Sequence, residues 1–99
     1  MGWASKAIEA LQKGETVKIR PRGHSMTGRV NDGDLVTLEP CKTDPSKNDV
    51  VLAKVNGRVY LHLVYAVDHD RFQIGNNKNH INGWTGRACV YGVAVKVEP

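Results

Sequence analysis

The chain has 99 residues, is 40% hydrophobic and 24% charged, and carries a formal net charge of +4. This size and composition suit one folded, soluble domain over residues 1–99 and exclude a long disordered chain. No apolar run approaches the ~20 residues that a membrane span needs, and the mild positive charge favours acidic partners but comes without a nucleic-acid-binding motif.

The segment 1–14 reads as an N-terminal helix. Trp3, Ala7, Ile8 and Leu11 fall on one face of a 3.6-residue period, and Gly14 fits the C-terminus. Met1 to Ser5 lacks the charged-then-apolar pattern of a signal peptide, so the expected location is the cytoplasm. The pattern then changes to period two. Val17 and Ile19 alternate with Lys18 and Arg20, and Pro21 ends the strand. Asn31-Asp32-Gly33-Asp34 is a turn signature, followed by a strand through Leu35, Val36 and Leu38 that stops at Pro40. Residues 41–48 form a polar loop.

Asp49 to Val55 and Arg58 to Val67 read as two strands joined by Asn56-Gly57, the strongest hairpin signal in the chain. Val59, Leu61 and Leu63 share one face of the second strand, and Tyr60, His62 and Val64 the other. Phe72 and Ile74 make another short strand. Gly75 to Gly83 is a long polar loop, and Cys89 to Val97 is the closing strand. The expected fold is therefore mainly β: a small curved or barrel-like sheet over residues 17–97 with one short helix. The two cysteines, Cys41 and Cys89, lack zinc-ligand or redox spacing, and Cys89 is expected in the core. No metal or cofactor is expected.

Ser25 lies in Gly23-His24-Ser25-Met26, just after the strand that Pro21 ends. Nine residues later comes Asp34, and an apolar strand follows. A serine becomes a nucleophile when a base takes its proton and the backbone exposes its oxygen. The bland reading of Ser25 is a turn serine that satisfies local backbone groups. The combination of Gly-x-Ser-Met, Gly33-Asp34, the strand after it and the later hairpin resembles the LexA-like and signal-peptidase-like serine peptidases. The spacing to Asp34 resembles the signal-peptidase branch, and Asp32-Gly33-Asp34-Leu35-Val36 resembles the LexA branch. Tyr91-Gly92-Val93-Ala94-Val95 resembles the closing strand of that group, so the similarity spans about residues 17–97.

The resemblance implies a peptidase core with Ser25 as nucleophile. LexA-like members use a lysine as base. The matching position here is His62, as in the His-type signal peptidases, and Lys54 lies across the hairpin turn. A histidine with an ordinary pKa near ~6.5 is already neutral at pH 7, whereas a lysine needs burial to become so. The alternative for His62 is a half-buried strand histidine. The carboxylate that orients the base in His-type relatives is missing from residues 75–82. Asn79, Asn82 or Asp34 are the candidate orienters, and His80 is a candidate cleft residue. Gly23, His24 and Met26 frame the nucleophile turn, and the Ser25 N–H is the oxyanion donor.

Two readings stand together. One is a serine endopeptidase acting in trans on a peptide or protein. The other is a catalytically weak or inactive module that binds a partner protein through the same groove. Nucleic-acid binding is a minor third reading. A homodimer through the last strand is implied by the resemblance.

Overall fold

The computed structural model describes residues 3–99. Met1 and Gly2, part of the expected helical segment 1–14, lie outside the described residues. The elements are α1 (Ser5–Gln12), β1 (Val17–Ile19), β2 (Leu35–Glu39), β3 (Val50–Val55), β4 (Arg58–Asp68), β5 (Arg71–Gly75), β6 (Ile81–Gly86), a 3₁₀ turn (Arg87–Cys89) and β7 (Val90–Glu98). All seven strands form one antiparallel sheet in the order β1-β2-β7-β3-β4-β5-β6. The mainly β architecture with one short helix is the one expected.

An eight-residue helix is marginal by itself in water. Here α1 is held by burial of Ala7 and Leu11 against the sheet. Its end is closed by Glu15 N–H donating to Ala10 O (3.0 Å) and Gly14 N–H donating to Leu11 O (3.0 Å). Trp3 does not join the buried face. It precedes the helix and is 59% exposed. With the helix starting at Ser5, Trp3 falls outside the periodicity that would have turned it inward.

Asn56 and Gly57 form the two-residue turn between β3 and β4, both at positive φ (50° and 83°), as a type I′ hairpin requires. That turn sets a register in which Leu52 faces Leu61, Val51 faces His62 and Ala53 faces Tyr60. Directly opposed residues share a face, so the sheet separates two apolar clusters. One cluster holds Leu11, Met26, Val36, Leu38, Leu52, Leu61 and Leu63. The other holds Val51, Ala53, Val55, Val64, Phe72, Ile74 and Val90.

Bulges interrupt the ladders at Val64/Ala66 and Ile74/Gly75. Each bends and twists its strand, and together they curl β4, β5 and β6 back toward β3. Thr85 Oγ1 on β6 donates to Lys54 O on β3 across the curl (2.7 Å). The second cluster fills its inside, and His62 sits on that same face at its mouth.

Two expectations need correction. The stretch 75–83 is not one long loop: from Ile81 it is β6, paired with β5 through Gln73–Trp84 and Phe72–Thr85. Ladder pairing outweighs the low strand propensity of Gly83, and Asn82 is the residue left unpaired at the register shift between Gly83 and Ile81. Cys89 is half-buried in the 3₁₀ turn and lies outside both clusters, whereas Cys41 packs on the second. Trp84 lies on β6, an edge strand of the sheet, and is 39% exposed.

Candidate active site

Residues 20–34 connect β1 to β2 and carry Ser25. Gly23 opens the connection at φ +113°, a conformation that side chains with a Cβ rarely adopt. Its N–H donates to Asp32 Oδ1 (2.8 Å), which ties the two arms of the loop together. The chain then coils into helical turns: Thr27 N–H donates to His24 O (3.2 Å) and Val30 N–H to Met26 O (2.8 Å). Met26 and Val30 point into the first apolar cluster, each 4% exposed. Met26 is thus the anchor of the Ser25 turn through core packing. Its truncation in Met26→Ala is expected to cost about 2–5 kcal/mol, the range for removing a buried Met side chain, in a urea unfolding titration.

A second set of bonds holds the backbone of Ser25 from the opposite side. Asn77 N–H donates to Ser25 O (2.9 Å), and Asn77 Nδ2 donates to Thr27 O (2.8 Å). The loop that carries Asn77 is itself braced by Asn76, whose carbonyl accepts the Tyr65 hydroxyl. Asn76 Oδ1 also accepts the N–H groups of Lys78 (2.8 Å) and His80 (3.0 Å). The side chain of Ser25 is left exposed on a backbone fixed from two directions.

His62 projects from β4 and is 7% exposed. Its Nε2 lies 3.2 Å from Ser25 Oγ, and its Nδ1 lies 2.6 Å from Asn82 Oδ1 on β6. The imidazole stacks on the ring of Tyr60, two residues earlier, with centroids 4.9 Å apart. Curling of the sheet makes this alignment: it brings β6 over the face of β4 that carries His62. With Asn82 Oδ1 accepting from Nδ1–H, the lone pair of Nε2 faces the serine hydroxyl. A neutral ring in this tautomer accepts the serine proton.

Burial pushes the His62 pKa below its ordinary value of 6.5, the bond to Asn82 opposes that shift, and nearby His80 lowers it further. A pKa below 6.5 leaves the ring mainly neutral at pH 7. Its protonation favours the unfolded chain, so stability declines as pH falls from 6.5 through the lower folded value. Reactivity of Ser25 toward an acylating or phosphonylating probe is expected to rise with pH, with its midpoint below 6.5 and a plateau at neutral pH. A pseudo-first-order labelling rate measured across the pH range checks this.

The other candidates are placed elsewhere. Asp34 Oδ2 accepts from Asn31 N–H (2.9 Å) within the turn and does not orient His62. Asn79 is an exposed residue at positive φ (65°) in the 76–80 turn, where the chain reverses between β5 and β6. His80 is exposed in the same turn, its N–H donating to Asn76 Oδ1 (3.0 Å). His24 is exposed, its carbonyl capping Thr27. The Gly23 N–H is committed to Asp32, which removes it as an oxyanion donor. Among the described residues the Ser25 N–H donates to no protein acceptor, which leaves it free for that task. Asn77 escaped the sequence reading of the site. Asn77 acts on residues some 50 positions away, and nothing local marks it.

A cleft of ≈ 190 Å³ opens beside Ser25, lined by Trp3, Pro21, Arg22, Met26, Tyr60 and His62 among others. Among the described residues no three His, Cys, Asp or Glu side chains are grouped to hold a metal ion, and no helix is long and apolar enough to cross a membrane. A search of curated proteins finds no match. The family model described as Peptidase S24-like matches residues 3–85, a stretch that includes Ser25, His62 and Asn82. The chain belongs to the Peptidase S24-like family.

Proposed function

We propose that this domain is a serine endopeptidase that acts in trans, with Ser25 as nucleophile, His62 as general base and Asn82 as the residue that positions His62. The observation that carries this reading is the aligned chain of contacts from Ser25 Oγ to His62 Nε2 (3.2 Å) and from His62 Nδ1 to Asn82 Oδ1 (2.6 Å). His62 Nε2 takes the hydroxyl proton as Ser25 Oγ bonds to the scissile carbonyl carbon. The oxygen that becomes negative accepts the Ser25 N–H. Collapse breaks the C–N bond, and His62 returns the proton to the departing amine. Water, deprotonated by His62, then releases the acyl group and regenerates the serine.

A second reading has its own observation. Asn82 supplies an amide where a carboxylate would stabilise the imidazolium formed in the transition state, and an amide carries no charge to do so. This favours a slow catalyst, or a module that holds a partner in the cleft without cutting it. Incubating the wild type and Ser25→Ala with a mixture of unfolded proteins, and mapping new chain termini by mass spectrometry, separates the two. Termini made by the wild type and absent with Ser25→Ala support the peptidase. No new termini, with the same protein retained by both forms, supports the binding module.

A further inference from the structure

We infer that the cleft beside Ser25 takes an acidic peptide segment, one with carboxylates flanking an apolar side chain. This deepens the proposed function and rests on reading the Ser25 cleft as a peptide-binding site. Two further grooves adjoin that cleft, and Trp3 lines all three. Arg20 and Arg22, just beyond β1, form one wall. Lys54 and Arg58, at the β3–β4 hairpin, form another beside Val59. All four cations are exposed.

The charge along this path is one-sided. No Asp or Glu lines any of the three grooves, although the chain has 10 such residues. None of the four cations is neutralised internally. The ion pairs among the described residues are Lys13–Glu9, His69–Asp68, Arg87–Asp44 and Lys96–Glu98. Arg20 gives one N–H to Gly33 O (2.8 Å), a bond that leaves its charge uncompensated. Unpaired cations on the walls of a groove concentrate anionic ligands and select against cationic ones.

The apolar element is Trp3, exposed at the meeting point of the grooves with Val59 beside it. A large aromatic at such a place anchors an apolar side chain of a partner. Peptide is favoured over nucleic acid because the cleft ends at a serine–imidazole pair suited to an acyl group. The Tyr60 ring is also already stacked on His62, not free for a base.

The test uses Ser25→Ala protein, so that no peptide is consumed, and fluorescence anisotropy with two rhodamine-labelled peptides. Both have a central leucine; one carries glutamates on either side and the other carries lysines at the same positions. The glutamate peptide is expected to bind about 10-fold tighter at low salt, with the gap closing at high salt. Adding Arg22→Glu and Arg58→Glu together is expected to erase or reverse the preference. Should that variant fail to fold, the peptide pair on the Ser25→Ala protein still decides. Equal binding, tighter binding of the lysine peptide, or no binding of either overturns the inference. So does tighter binding of a single-stranded oligonucleotide than of the glutamate peptide. A glutamate preference in a protein whose wild-type Ser25 no serine probe labels supports this inference and removes the peptidase reading. A labelled Ser25 without the preference overturns this inference alone.

Discussion

Asn82→Asp is expected to accelerate acylation of Ser25 by at most about 10⁴-fold, the factor an acid-to-amide change costs a serine triad, where part of the loss comes from a wrong histidine tautomer that Asn82 does not impose. The geometry for the gain already exists. Asn82 Oδ1 lies 2.6 Å from His62 Nδ1, and Asp has nearly the same shape. What changes is charge. When His62 takes the serine proton it becomes a cation in a site where it is 7% exposed, and an amide dipole compensates that cation only weakly. A carboxylate there stabilises it directly. The same substitution carries a second signature. Burial now holds the His62 pKa below 6.5, and a carboxylate at Nδ1 raises it, so the pH at which labelling begins moves upward. A faster plateau with an upward-shifted onset, measured as labelling rate against pH, is the expected pair of results. An unchanged rate with a shifted onset would mean that His62 titrates beside Ser25 without acting on it.

His62→Ala is expected to slow labelling of Ser25 by about 10²–10⁴-fold, the usual contribution of a positioned general base. The side chain stacks on Tyr60 and bridges β4 to β6, so its removal also loosens the curl of the sheet. Added imidazole separates the two effects. The lost ring leaves a space of its own shape between Tyr60, Asn82 and Ser25, and free imidazole in that space is expected to restore part of the rate. Recovery with imidazole, following the titration of imidazole itself, assigns the loss to the missing base. No recovery, with an intact melting transition, removes His62 from the chemistry.

Strand identity was legible because the forces that made the strands are local. Val17/Ile19 and Leu35 to Leu38 alternate or run apolar between turn residues, and Asn56-Gly57 sets the central hairpin and its register unaided. Ser25 and His62 were legible as a pair only through the resemblance of two segments 37 residues apart. The curl was not legible. It depends on bulges at Val64/Ala66 and Ile74/Gly75, which insert no residue type that sequence periodicity detects. Asn82 consequently read as one of several polar loop residues, equal in standing to Asn79. Once β6 is a strand folded over β4, Asn82 faces the ring and Asn79 does not. Asp34 failed for a related reason: its carboxylate is consumed within its own turn by Asn31 N–H, and the turn lies on the far arm of the loop.

Trp3 shows the opposite limit. Its spacing to Ala7 and Leu11 matches a buried helical face, yet the helix begins two residues later. Freed from the helix, the indole meets the grooves beside Ser25. Membership of the Peptidase S24-like family is carried by residues 3–85, so the strand that completes the sheet, β7, lies beyond the matched stretch.

The most direct test of the Ser25–His62–Asn82 centre is the site of covalent modification. Wild-type protein is treated with a fluorophosphonate at about pH 8 and about pH 5, digested, and mapped by mass spectrometry. Expected is a single adduct on Ser25, formed faster at the higher pH and nearly absent in His62→Ala. An unmodified Ser25 under conditions that label a control serine hydrolase, or an adduct that forms equally fast without His62, contradicts the assignment.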